Sequence, residues 1–205
     1  KYPLNLISLL GDRYAKASYF INNDILSCYL GVRGLFSPKN TAGILDANLS
    51  EVENFIDDFS QFEHYNITAL QHLSPVDLLS YLELKFYLSN QLLKDTDFMS
   101  MHHSIEVRVP FLDHPLVEYL SSLSGEIKLK AFDGQNINKP LLVAAVKDLL
   151  PQEIFSRPKM GFTFPFQKWF QEMEDKKRFA INDLRLAKTH WSRFWAKMVL
   201  DKFNQ

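Results

Sequence analysis

MHHSIEVRVPFLDHP, residues 101 to 115, crowds three histidines, a glutamate, an arginine and an aspartate around the apolar run VPFL. Surfaces spread such groups out and cores exclude them. The stretch therefore reads as a metal site, a catalytic site or a polar brace inside a fold. Its β-branched part, EVRVPFL, has the composition of a strand, but Pro110 demotes it to an edge strand or an extended connector.

On either side the apolar residues recur at helical intervals. Ser50 followed by Glu53 reads as a capping box, and Val52, Phe55, Ile56, Phe59 and Phe62 then form one stripe. Ser74-Pro75 supplies a cap and a first-turn proline for a helix through Leu78, Leu82, Phe86 and Leu93. The apolar positions of 76–95 spread over more than one face, which predicts a long buried helix. Asp113 can cap HPLVEYLSSL, and Asn138 can cap KPLLVAAVKDLL, which Pro151 ends. In WSRFWAKMVLDKF, residues Trp191, Phe194, Trp195, Met198 and Val199 share a face. The turn-rich breaks fall at 130–138 and 157–165. The expectation is a mainly α assembly with two functional-looking loops.

Composition narrows the class. The chain has 205 residues and a formal net charge of −1, with no basic footprint for nucleic acid or an anionic membrane. Its one cysteine, Cys28, excludes an internal disulfide and fits a reducing compartment. No window reaches the ~20 apolar residues that span a bilayer. A cytoplasmic protein is expected, and a chain that starts at Lys1 reads as the trimmed part of something longer. The 17 Phe, 8 Tyr and 3 Trp fall at helical spacings and read as filler between packed helices rather than a ligand groove.

The candidate chemistries divide unevenly. His103 and Glu106, three apart, could share a metal with His102 and His114, but a zinc site needs three or four ligands and no H-E-x-x-H helix occurs. An ion pair, Glu106–Arg108 or Arg108–Asp113, holding a polar junction is the better reading. Cys28 sits in the apolar ILSCYLG as a small buried residue, not an activated thiolate. Ser100 or Ser104 beside the histidines lacks a nucleophile elbow. Neither Gly-rich phosphate loop occurs. SRPKMGF nevertheless places Arg157 and Lys159 two apart beside Gly161, where they can bracket a polyanion; a solvated basic loop is the blander alternative.

Taken together, DFMSMHHSIEVRVPFLDHPLVEYL, then NKPLLVAAVKDLLPQEIFSRPKMGFTFPFQKWF and the upstream FINNDILSCYLGVRGLFSP, resemble the C-terminal part of the asparagine synthetase family. The resemblance runs nearly the whole chain, and its D-R-x-S-M-x-H-S-L-E-V-R-V-P-F-L-D-H block is highly specific. It implies the helical C-terminal portion of an ATP-pyrophosphatase-type (adenine nucleotide alpha hydrolase-like) α/β synthetase domain, without the nucleotide-binding sheet, over 1–205. The family's glutaminase domain and its S-G-G-x-D-S and S-G-E-G-x-D-E motifs do not occur in this sequence. Ser124-Gly125-Glu126 is a decoy, since the IKLK after it matches the family's structural P-x-x-L-K connector.

In that family ATP activates a carboxylate as an acyl-adenylate, and glutamine-derived ammonia then attacks to give an amide. The resemblance puts Lys159 on the lysine near the phosphates and the reacting carbonyl. Arg157 is its phosphate-side companion, and Gly161 and Phe162 complete the loop. Asp97, Ser100, Glu106 and Arg108 fall on the motif beside the active-site cleft. ATP and Mg2+ are implied for the whole enzyme, with neither expected on this chain alone. The implied partners are ATP-pyrophosphatase and glutaminase domains, in the same polypeptide or another, with a homodimer possible. The chain departs from the pattern at Leu88-Ser89-Asn90-Gln91, against L-P-D-N, and at Phe98, where the family has arginine. A carboxylate and a cation are thereby lost, so the resemblance does not fix aspartate as the substrate. The opening stretch becomes a polar brace that locks helices against a nucleotide domain. The rival readings are a helical protein-binding module on the same scaffold and a hydrolase using His102, His103, Glu106 and His114 on a metal.

Overall fold

A computed structural model describes residues 14–21, 24–59, 70, 72–130, 139–158, 160, 164–172 and 191–203, without the side chains of 57, 59, 170 and 171. The described residues are mainly helical and include no strand. The chain divides into two compact units, Lys1–Asn23 with Leu30–Ile56 and Met160–Gln205, and Asp24–Tyr29 with Asp57–Lys159.

In the first unit a 3-10 turn, Ala15–Phe20, precedes the last residues of α1 (Ile25–Arg33). A Cβ at Gly31 would lie 2.7 Å from the Phe20 ring, so a larger residue there would have to displace that ring. The buried Ser37 caps α2 (Pro38–Leu45) by accepting the Asn40 N–H at 3.2 Å, with Pro38 in the first turn. Helix α3 (Leu49–Phe59) starts earlier than the sequence predicts. Asn48, not Ser50, makes the box: its N–H donates to Glu51 Oε2 at 3.1 Å. Asn is as good a cap as Ser, and Glu51 lies three residues on, as the motif requires. Val52 is buried but Phe55 is exposed, the Phe59 side chain is not described, and Phe62 lies outside the described residues. Aromatics do act as filler between α10 (Phe166–Glu172) and α11 (Trp191–Phe203), where the Phe166 ring stacks on Trp191 at 4.5 Å and meets Trp169 edge-on at 5.4 Å.

In the second unit Asp24 Oδ1 accepts the Ser27 N–H at 2.8 Å at the start of α1, and the Tyr29 and Phe86 rings lie 5.9 Å apart. Ser74 and Pro75 begin α4 (Pro75–Leu82) as the sequence predicts. The chain continues as a π-helical stretch, Glu83–Leu92, and then as α5 (Leu93–His102). The helix is therefore longer than 76–95, but it is not buried: Leu78 and Leu82 are, and residues 83–102 bury no side chain. The wider π gauge also rotates side chains out of the phase of the α repeat.

Residues 105–109 form a connector without regular structure and Pro110–Leu112 a 3-10 turn, so the edge-strand option for EVRVPFL falls away. Helix α6 (His114–Ser122) has Asp113 at its cap position but no side-chain cap bond. Pro115 removes one of the two N–H groups such a side chain serves. Helix α7 is Gly125–Leu129 and α8 is Pro140–Val146, starting from Lys139 in a left-handed conformation. Asn138 lies outside the described residues, and proline's preference for the first helical position sets the start. Helix α8 ends ahead of Pro151, where a turn closed by the Leu149 N–H on Val146 O at 2.9 Å takes over, and α9 (Gln152–Ser156) follows.

Candidate functional site

The block that opens the sequence reading begins on α5. Asp97 is exposed on this helix, and Ser100 Oγ donates to the Asp97 carbonyl at 3.1 Å within the same turn. The Ser100 carbonyl then accepts the N–H groups of His103 at 3.0 Å and Ile105 at 2.9 Å, closing the helix end. Ser104 turns left-handed there, with φ 55°, and sends the chain into the connector. Two residues apart on the connector, Glu106 and Arg108 pair, with Arg108 Nε donating to Glu106 Oε1 at 2.8 Å. Of the two ion pairs considered for this junction, Glu106–Arg108 forms.

Every residue from 101 to 111 is exposed, so the stretch braces nothing within its own unit. The His102 and His103 rings meet edge-on at 5.1 Å, and His114 Nδ1 lies 3.4 Å from Glu118. Among the described residues no group of three or more His, Cys, Asp or Glu side chains could hold a metal ion.

Arg157 is exposed at the bend that ends α9. Lys159, Gly161 and Phe162 lie outside the described residues. Among the described residues, hydrogen bonds and ion pairs join Ser100 to Asp97 and Glu106 to Arg108, and tie neither pair to Arg157. At the departure from the family pattern, Asn90 Nδ2 donates to the Lys85 carbonyl at 2.9 Å across the π turn. Phe98 is 73 % exposed.

Among the described residues, Asp77 is a carboxylate with both oxygens engaged that no sequence motif singles out as functional. Asp77 sits in the third position of α4, behind the Ser74 cap: Ser74 Oγ donates to Asp77 Oδ2 at 2.7 Å and accepts the Asp77 backbone N–H at 3.2 Å. The same Oδ2 accepts the Gly125 N–H at 3.1 Å, while Oδ1 takes Lys128 Nζ at 2.9 Å. Both charged side chains are about four-fifths covered. The bond from Lys128, then that from Ser74, hold the Asp77 carboxyl below the usual carboxylate range. The legible signal was Ser74-Pro75-x-Asp77, a capping box with Asp in place of Glu. Within SGEIKLK, Gly125 and Lys128 therefore tie this segment to α4.

In the first unit, burial and then the nearby Arg193 push the Lys16 ammonium below its ordinary range, and burial raises Tyr19. The Tyr19 hydroxyl donates to the Phe36 carbonyl at 3.3 Å, and Arg193 Nε donates to the Leu35 carbonyl at 2.9 Å. No helix in the described residues is long and apolar enough to cross a membrane.

Comparison with known proteins adds what the geometry leaves open. The family model described as asparagine synthase matches residues 12–204. The glutamine-hydrolysing asparagine synthetase 1 of Bacillus subtilis is 30 % identical over 117 residues, covering 57 % of this chain and 18 % of that protein. The glutamine-hydrolysing asparagine synthetase of Gallus gallus is 37 % identical over 92 residues, covering 42 % and 16 %. Amidase chry2 of Gibberella zeae is 30 % identical over 103 residues, covering 49 % and 15 %. The chain thus spans less than a fifth of the length of these curated relatives. No solved structure matches it.

Proposed function

The chain belongs to the asparagine synthase family, and on that premise we propose that it is the helical C-terminal part of an ATP-dependent amide-forming ligase. The observation that supports this most is a family match running through both the 97–114 block and the 157–162 loop. In the proposed reaction a substrate carboxylate oxygen attacks the α-phosphorus of ATP and pyrophosphate leaves. Ammonia released from glutamine then attacks the acyl carbon, AMP departs, and the nitrogen loses a proton to become the amide. Both steps build negative charge on oxygen, which preorganised cations stabilise.

Lys159 is the proposed cation between the leaving phosphate and the oxyanion, with Arg157 on the phosphate side and Gly161 allowing the backbone to approach. Asp97, Ser100, Glu106 and Arg108 are proposed to line the cleft on the substrate side. Mg2+ in nucleotide sites is held through one or two carboxylates and the substrate's own phosphates, and no step is assigned to it. ATP and the metal are proposed to be held by an ATP-pyrophosphatase domain, which would cover the exposed face from Phe98 to Phe111. A chain acting in this way binds ATP weakly on its own, since the loop that cradles phosphates is not among its motifs. Micromolar affinity in calorimetric titration of the chain alone would contradict that division of labour.

The direct test is Lys159→Ala in the ligase, followed by steady-state amide formation. A charge acting on the transition state lowers kcat more than it weakens binding, by roughly a hundred- to a thousandfold. Lys159→Arg recovers part of the rate, because a planar guanidinium does not fill a point-charge site. Turnover near wild type in Lys159→Ala removes this residue from the mechanism and leaves the protein-binding reading of the scaffold in possession.

A further inference from the structure

The helices that carry the chain to Arg157 are short. Helix α7 has five residues, α8 seven and α9 five. Helices below ~12–15 residues are marginal by themselves, so the place where Arg157 emerges must be set by tertiary anchors. Helix α7 packs on both α4 and α8. The connection from α8 to α9 is tight, closed by Leu149 N–H to Val146 O at 2.9 Å and Ile154 N–H to Pro151 O at 3.1 Å.

The anchor of α7 is Asp77. One carboxylate oxygen takes the N–H of Gly125, the first residue of α7, and the other takes Lys128, one turn on. The helix is thus gripped at both ends from a single side chain on α4. Gly125 seats it without slack: a Cβ there would lie 2.7 Å from Val76 Cβ and 2.8 Å from Ser74 Oγ. Sliding or tilting α7 would break a partly buried ion pair and a backbone bond together, and an unpaired group in such a place costs more than an exposed one.

We propose that Asp77 is a positioning residue for the Arg157 loop: by clasping α7 to the first turn of α4, it fixes the base on which α8 stands and hence where α9 delivers Arg157. The clasp rests on the reading of Arg157 and Lys159 as phosphate-side cations for its role in the reaction, but not for its physics.

Hydrogen–deuterium exchange of the full chain tests it, comparing wild type with Lys128→Met, Lys128→Arg and Asp77→Asn. Lys128→Met accelerates exchange about ten- to a hundredfold at 125–129 and at 140–156, and leaves 191–203 at the wild-type rate. Lys128→Arg restores most of the protection, since it still donates to Oδ1. Asp77→Asn keeps an acceptor for Gly125 and loses the charge, so it falls between them and remains informative where Lys128→Met does not fold. Acceleration confined to 125–129 would overturn the link to Arg157. Uniform acceleration that includes 191–203, or none anywhere, would overturn the clasp itself. Exchange makes no reference to turnover, so an unaffected rate in Lys159→Ala would remove the ligase reading while leaving the clasp standing.

Discussion

Two ion pairs in the second unit are built from the same chemistry and do opposite work. Asp77–Lys128 joins residues 51 apart in sequence, with side chains 19 % and 21 % exposed. Glu106–Arg108 joins residues two apart, with side chains 72 % and 85 % exposed. The first ties helices together, has every carboxylate oxygen engaged, and is screened little by water. The second bends one connector onto itself and pays full solvent screening. The contrast separates two meanings of a conspicuous charge: where the fold needs the residue, its partners are distant in sequence and its surroundings are closed. An open pair makes no such tie within its unit.

The largest effect expected on this comparison comes from the apolar floor of the clasped region. Leu82 is fully buried, at 0 % exposure, one turn beyond Leu78 on α4. Leu82→Ala should destabilise the chain by about 2–5 kcal/mol, the transfer term plus the cavity left behind. Urea unfolding followed by circular dichroism reads it directly. A loss under about 1 kcal/mol would mean that α4 is not the centre of the second unit.

The clasp comes next. Asp77→Ala removes three hydrogen bonds at once, those from Lys128, Gly125 and the Ser74 hydroxyl, while the backbone N–H of residue 77 still donates to Ser74 Oγ and keeps the cap of α4. The expected cost is about 1–3 kcal/mol. Lys128→Met should cost less than Asp77→Ala, because the carboxylate keeps two donors when the lysine is gone. A reversed order would show that Lys128 acts through something other than Asp77.

How much of this was legible? The 74–82 start was, because Ser74-Pro75 states a cap and a first-turn proline that no neighbour needs to supply. The Glu106–Arg108 pair was half legible, as one of the two ion pairs open to Arg108, and the structure makes the nearer one. Asn48 as the cap of α3 was missed because two overlapping boxes, Asn48/Glu51 and Ser50/Glu53, satisfy the same local rule, and the choice depends on where the preceding chain arrives. The all-round apolar pattern of 76–95 predicts a buried helix, and the structure buries Leu78 and Leu82 but no side chain over 83–95. That pattern says a surface wants covering, and cannot say whether the cover belongs to the same unit. The role of Asp77 was hidden for a related reason: its decisive partners lie about fifty positions away, and a capping box declares just the local half. The family motifs behaved differently, because Arg157 and the 97–108 block are informative through what they resemble, while their exposed geometry would have nominated none of them.

Acidification should sharpen the contrast. The folded-state carboxyl of Asp77 is held below its ordinary value, with the Lys128 bond the first cause. A depressed carboxylate contributes stability above its unfolded-state pKa of ~3.9, and that contribution is lost as pH falls through the lower folded-state value. Stability measured from pH 6 down to pH 2 should therefore fall more steeply in wild type than in Asp77→Asn, and the two curves should converge at the acid end. Parallel curves would mean that the carboxylate's bonds do not differ between the folded and unfolded chain.

The smallest effect is the one that tests the meaning of exposure. Arg108→Met breaks the open pair but leaves Glu106 in water, where it needs no partner, and an exposed pair is worth about 0–1 kcal/mol. The melting curve of Arg108→Met should accordingly lie close to wild type, and 0.5 M salt should change the difference little because most of the attraction is already screened. If the pair is instead reserved for a cleft formed with another domain, the same substitution should be felt in amide formation, as a raised KM for the carboxylate substrate with an unshifted melting temperature. A stability loss as large as that of Asp77→Ala would dissolve the comparison, since it would make Glu106–Arg108 a tie within the unit. No change in either stability or KM would leave the pair a solvated surface contact and move the proposed substrate side elsewhere on the 97–114 block.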